Sequence, residues 1–450
     1  MALRRPGRRT GRRLADRGEA GLMPWHEQTS FDSGDDLAID RLSLAAPLLG
    51  ATGWIDGLAR LVGLDLSVGE APSARTALAH TALAQTLQEM FAPLGFNLRR
   101  IAPPGEARGD EAAQMEPAPA SLVAARRTGR PVCSIHMPLS VAAPDPRWTR
   151  PPHALTRRGS QLFGCGTRGG QGAIAAVWAA LRAADAVGLP LRFDPVLLFT
   201  PHDDSGAVLR HLCEQGEVRG HFLSLGGMAA PRIWAGALGL LTVELRIDGA
   251  ADAEATLPVL ARLAELQHQV SQRLSTLPAA PEGEGTQLSA QLSVASVSMS
   301  PDGGMRRRCT VVVQRRFTPE EGAEAALEEL RAAMAGLEVP GCALECRMVR
   351  HLPAALAPEE GPHGARWQRA LSWGFGFAPD GFRRASSLEG SAFGFVQQAG
   401  VQEILVGGLT RPGQRQEAVN EFTTVEDVEA LGRAVLAYLA DAPEQPLDGF

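Results

Sequence analysis

Lysine is missing from this chain: its 44 lysine-plus-arginine residues are all arginine. That excludes a phosphate-loop lysine, a Schiff-base or pyridoxal lysine and a lysine general base. Tyrosine is nearly missing too, with Tyr438 alone among 450 residues. Alanine, glycine and arginine are plentiful instead, as in a genome that favours G and C in its codons. No apolar run reaches the roughly 20 residues of a membrane-spanning helix, so a membrane is not an expected partner. The Arg-rich start, Met1 to Arg17, lacks the apolar stretch of a secretory or twin-arginine signal; it reads as a disordered arm over 1–38 or as sequence upstream of a start at Met23. The six cysteines at 133, 165, 213, 309, 342 and 346 make no disulfide framework in a chain this long, and a reduced cytoplasm is the expected location. Cys342 and Cys346 have no second pair beside them, which favours two semi-buried thiols over a zinc knuckle. The net charge of −6, with no basic stripe after the first residues, argues against nucleic acid.

The 45% hydrophobic content supports one large or two ordinary domains. Residues 39–100 read as mainly helical, with an amphipathic stretch Thr76 to Phe91. Pro131 to His136 is a short apolar run ending on a polar residue, as a buried parallel strand delivers a side chain to its carboxyl end. A glycine-dense turn, Gly164 to Gly172, precedes an Ala-rich helix. Phe193 to Thr200 is a second apolar strand, running into His202-Asp203-Asp204. Strand, helix and strand with charged groups at strand ends indicate an α/β sheet. Residues 239–350 change rhythm to β-α-β-β-α-β, the split ferredoxin-like unit, and helix and strand patterns then resume. The expected organisation is therefore an α/β domain of 39–238 and 351–450 with an inserted domain of 239–350.

The span Leu162-Phe163-Gly164-Cys165-Gly166-Thr167-Arg168-Gly169-Gly170-Gln171-Gly172-Ala173, continuing to Thr200-Pro201-His202-Asp203-Asp204-Ser205-Gly206, resembles the dizinc amidohydrolases and peptidases. That family includes acetylornithine deacetylase, succinyl-diaminopimelate desuccinylase, aminoacylase and the glutamate carboxypeptidases. The resemblance of order and spacing runs over nearly the whole chain past residue 39. It implies a zinc-exopeptidase-like catalytic domain with a mainly parallel sheet, an inserted ferredoxin-like lid and dimerisation domain, and a homodimer.

Carried over residue by residue, the resemblance gives a depleted site. The family's His-x-Asp places a zinc ligand on His136, but the orienting acid falls on Pro138. The carboxylate that bridges two metals falls on Gly169, and the neighbouring lysine on Gln171. The Glu-Glu pair becomes Asp203, in the general-base position, and Asp204, in a ligand position, each one methylene shorter. The next acid falls on His221 or Gly227, the last histidine ligand on Glu417 before Asn420-Glu421, and the Gly-Gly-Thr-Asp element ends at Ala392. The inserted domain's oxyanion histidine falls on Ala253, and Arg306-Arg307-Arg308-Cys309 replaces an Asn-x-x-Pro stretch. Codon bias accounts for Lys to Arg, but not for Lys to Gln at 171 or for the lost acids, since this chain uses Asp freely.

Two adjacent metals need a shared anionic bridge to offset their repulsion, so the first expectation is a scaffold without dizinc chemistry that binds an N-acyl amino acid, a peptide or a partner protein. The alternative is a single-metal amidohydrolase in which His136, Asp204, His221 and Glu417 hold one zinc or similar divalent ion and Asp203 is the base. Asp203-Asp204 can equally cap the following helix. Nucleophilic catalysis by Cys165 with His136 or His202 is a third possibility. Gly164-x-Gly166-x-x-Gly169 has dinucleotide-loop spacing, but Asp185 sits inside a helix instead of ending a strand, and Trp148 reads as loop packing.

Overall fold

The computed structural model describes residues 33–67, 74–102, 120–139, 143–201, 203, 205–249, 256–280, 286–301, 307–339, 341–388, 390–412 and 419–441. Helices α1 (Ser33–Leu48), α2 (Trp54–Val62) and α3 (Ala74–Phe91) lead into β1 (Asn97–Ile101), β2 (Ser121–Ala125), β3 (Val132–Leu139), β4 (Thr156–Arg158) and β5 (Gln161–Phe163). There follow α4 (Gly170–Ala186), β6 (Asp194–Pro201), α5 (Ala207–Glu214), β7 (His221–Met228) and β8 (Arg232–Ala237). The insert comprises β9 (Gly239–Gly249), α6 (Leu257–Ser271), β10 (Leu274–Pro278), β11 (Gln287–Ser289), β12 (Gln291–Pro301), β13 (Arg307–Phe317), α7 (Ala323–Ala335) and β14 (Cys342–Leu352). The chain then returns through β15 (Ala355–Leu356), α8 (Pro362–Phe375), β16 (Arg383–Ser387), α9 (Phe393–Gln398), β17 (Ile404–Thr410), β18 (Phe422–Thr424) and α10 (Val425–Leu439).

The central sheet runs β1-β2-β6-β3-β7-β17. Its four strands β6, β3, β7 and β17 are parallel, while β1 and β2 extend it antiparallel. Both faces are covered at the centre, which is why β3, β6 and β7 read as near-continuous apolar runs. On one face Ile135, Met137, Leu197, Phe199, Leu223 and Leu225 pack with α4 and α10. On the other, Val196, Leu198 and Phe222 meet Leu209 and Leu212 of α5 and Val396 of α9. The Ala-rich sequence of α4 serves close approach: its Ala173, Ala176, Ala180 and Ala183 are buried, and a Cβ on Gly432 of α10 would lie 3.3 Å from Ala176 O. Strand β3 runs past His136 to Leu139, with Pro138 just beyond the last residue paired to β7, where a missing N–H is tolerated.

The inserted domain is a four-stranded antiparallel sheet, β12-β13-β9-β14, with its own core of Leu241, Val243, Leu245, Ile247, Val311 and Val313 against α6 and α7. Its order is that of a ferredoxin-like unit. Near its end β14 carries an irregularity: Met348 pairs with Val243 but Arg350 pairs with Thr242, so one extra residue is accommodated there. No single helix among the described residues is long and apolar enough to cross a membrane; one bent pair, Arg41–Ala51 with Trp54–Val62, passes by length and composition.

Candidate functional site

A cleft of about 570 Å³ opens at the carboxyl ends of β3, β6 and β7. Arg350 and Leu352 of the inserted domain form part of its wall, as do Ser387, Leu388 and the residues from Gly390 to Phe393. Strand ends of a parallel sheet are where α/β folds place ligand sites, because side chains emerge there beside loops free to vary.

His136 stands in this cleft, 7% exposed. Its Nε2 lies 2.9 Å from Thr200 Oγ1 and its Nδ1 3.2 Å from Ser224 Oγ, so hydroxyls from the strands on either side meet both ring nitrogens. The ring stacks on Phe222 at 5.5 Å between centroids. Burial pushes the imidazole down to about 4, which keeps it neutral at pH 7. Two residues on, Pro138 turns its ring against Gly226: a Cβ there would come within 2.5 Å of Pro138 Cγ.

Asp203 also lines the cleft, yet its carboxylate is engaged at the start of α5. Oδ1 accepts from the Ser205 backbone N–H at 2.8 Å and the Ser205 hydroxyl at 2.5 Å, and Oδ2 accepts from Val208 N–H at 2.8 Å. Of the two roles the sequence allows it, the geometry shows the helix-starting one.

The glycine turn before α4 is a structural knot. Gly169 is the N-cap of α4, and Gln171 is buried with its amide against Gly166, where a Cβ would fall 2.1 Å from Gln171 Oε1 and φ is +78°. Glu421, 3% exposed, accepts from Gly166 N–H at 3.1 Å and Arg168 N–H at 2.8 Å. Asn420 Oδ1 accepts from the N–H groups of Thr149 and Arg150. The Asn420-Glu421 pair therefore ties loops together. Cys165 and Trp148 do not line the cleft.

His221 is not brought to His136. It opens β7 level with Cys133, whereas Ser224 is level with His136, a displacement of about 10 Å along the sheet. Its ring also faces the other side, stacked on His363 at 3.7 Å and edge-on to Phe193 and Tyr438. Burial, with His363 and Arg366 nearby, pushes it down to about 3. Gly227 is at the cleft end of β7, where a Cβ would meet Val406 Cγ1 at 2.5 Å. Ala392 lines the cleft and offers no donor. Asp204 and Glu417, with His202, Ala253, Arg306 and Glu389, lie outside the described residues.

The described residues do not fit a dinuclear metal centre. His136 has both nitrogens met by hydroxyls, Asp203 is held by α5, and Pro138, Gly169, Gly227 and Ala392 carry no ligand atoms. Among the described residues no three His, Cys, Asp or Glu side chains converge to hold an ion. Sequence reasoning missed Thr200 and Arg350 in the cleft lining and Ser224 against His136: strand sequence conceals the two hydroxyls, and the direction of Arg350 depends on the irregularity in β14.

Several solved structures share this architecture. Human carnosine dipeptidase 1 aligns at a TM-score of 0.62 and 12% identity over 89% of this chain and 99% of that one. An M20 family metallo-carboxypeptidase of Sulfolobus solfataricus aligns at 0.64 and 13% over 86% and 98%. A dinuclear metal binding peptidase of Bacillus subtilis aligns at 0.54 and 16% over 85% and 98%. At these identities the likeness establishes the fold. No curated protein matches the sequence. The profile of peptidase family M20/M25/M40 matches residues 140–441, two thirds of the chain, and the chain belongs to that family.

Proposed function

We propose that this chain is a member of a metal-dependent peptide- and amide-hydrolysing family that binds a ligand in the family cleft without dinuclear hydrolysis. The ligand class is an N-acyl amino acid or short peptide. The observation that carries this reading is the state of His136: both ring nitrogens face hydroxyls of adjacent strands, and burial holds the ring neutral. Around it the protein's own atoms supply contacts, with Pro138 on Gly226 and Gln171 on Gly166. Among the described residues the cleft lining offers hydroxyls, an imidazole, a guanidinium and the Asp203 carboxylate, as a binding site does.

The test is protein purified without chelator. Less than about a tenth of an equivalent of zinc, cobalt or manganese, and no amino acid released from N-acetyl, N-succinyl or N-carbamoyl substrates, is expected alongside thermal stabilisation by the same compounds. Stoichiometric metal with hydrolysis lost in Asp203→Asn would overturn the reading and establish instead a single-metal hydrolase built on His136, Asp204 and Glu417.

A further inference from the structure

A second cavity, of about 640 Å³, lies apart from the cleft and shares no lining residue with it. It opens where α8 begins, against β8 and the start of β17. Ile233 and Trp234 of β8, Ile404 and Leu405 of β17, and Pro362 and Ala365 of α8 give it an apolar wall. Trp234 meets Phe393 edge-on at 5.5 Å between centroids, and Phe393 lines the cleft, so a pair of rings stands between the two spaces.

The charge at this cavity is unbalanced. Arg384 brings a guanidinium, but its Nη1 donates to the carbonyls of Pro358 at 3.2 Å and Glu359 at 2.9 Å, and its Nη2 to that of Ala357 at 3.4 Å. It thereby fixes the loop on which Glu359 and Glu360 stand. Both acids are exposed at the cavity, and among the described residues neither side chain has a hydrogen bond or ion pair. A third carboxylate, Glu403, accepts from the backbone N–H groups of His363 and Gly364 through Oε2 alone. The Nε1–H of Trp234 is buried with no acceptor.

Three carboxylates against one guanidinium leave the lining negative, and low-dielectric walls focus such a field. Acids alone on a surface are simply solvated, and an apolar hollow alone has no preference of sign; here the two coincide. Among the described residues no three His, Cys, Asp or Glu side chains converge on a point, so the arrangement does not suit a bare metal ion. It suits a cation that brings its own apolar body, with an ammonium group for the carboxylates and a ring or branched chain for the indole and the aliphatic wall.

We propose that this cavity is a second binding site, for an organic ammonium ion, independent of the cleft and of what the cleft binds. The experiment is calorimetric titration of the full chain at pH 7 with 2-phenylethylamine, with the uncharged 2-phenylethanol and with the anion 3-phenylpropionate. It is repeated in the double variant Glu359→Gln/Glu360→Gln and in Trp234→Leu. The amine is expected to bind about tenfold more tightly than the alcohol, and the anion more weakly than either. The double variant should lose most of the preference for amine over alcohol, and Trp234→Leu should weaken both. Should Trp234→Leu fail to fold, the double variant, confined to exposed side chains, decides the matter. Saturating N-acetyl-alanyl-alanine should leave the amine's affinity unchanged; displacement of the amine would place it in the cleft and overturn the second site. Equal binding of amine and alcohol, a preference indifferent to residues 359 and 360, or no binding of the amine would each overturn it as well, and none of these bears on the reading of the cleft.

Discussion

At the scale of single side chains, two histidines are held by packing and hydrogen bonds inside the large domain. His136 and His221 are both buried and neutral, held down to about 4 and about 3 mainly by desolvation. An unfolded histidine titrates near 6.5, so between that value and the folded ones the unfolded chain binds more protons. Stability from these groups is complete above about pH 6.5 and is lost progressively as pH falls toward 4. Denaturant midpoints measured from pH 8 to pH 4 should fall over that window, and His221→Phe should flatten the fall. The two rings also show what the sequence could and could not tell. His136 was legible because a polar residue ended an apolar run. The direction of His221 was not: β7 is buried on both faces, so Phe222, Leu223 and Leu225 give no alternation from which to read a side.

At the scale of elements, two glycines on which the resemblance would place acids differ in the space around them. Gly169 caps α4, and a Cβ there meets nothing nearer than 3.7 Å. Gly227 is enclosed between Val406 Cγ1 at 2.5 Å and Gly407 O at 3.1 Å. Gly169→Asp should therefore be accepted and should gain a few tenths of a kcal/mol, since aspartate is a preferred N-cap beside the positive end of the helix. Gly227→Glu should cost about 1–3 kcal/mol by overpacking. Urea unfolding of both variants would check the pair, and equal losses would refute the steric account. Asp203 belongs to this scale too: a carboxylate five residues before Val208 was readable as a helix start, and the two roles open in the sequence separate only when Ser205 and Val208 donate to it.

For the whole molecule, the core of the sheet was legible because Pro131 to His136, the Ala-rich helix and Phe193 to Thr200 read as strand, helix and strand, whereas the short strands β4, β15 and β16 and the β10-β11 pair gave no such pattern. The ferredoxin-like insert was legible from its alternating strands, whose two faces differ in burial. What escaped was the meeting of the two domains, since the bulge that places Arg350 is a property of pairing between strands about a hundred residues apart. A homodimer through the inserted domain remains a proposal supported by its edge strand β12, where Val294, Val297 and Met299 are 41%, 47% and 42% exposed. An open edge with apolar side chains is a surface suited to a second copy. Light scattering should give twice the chain mass, and Val297→Lys should shift it to the monomer; a monomer mass for the unaltered chain would refute the dimer.

The bulge in β14 also bears on how such a cleft can change. Because alternation has a period of two, losing one residue between Met348 and Arg350 would turn the guanidinium toward the helices of the insert while leaving every residue type in place. Strand length is thus as much a determinant of the cleft's charge as composition. Among related chains, a one-residue gap at this point would mark a cleft of different charge even where the arginine itself aligns.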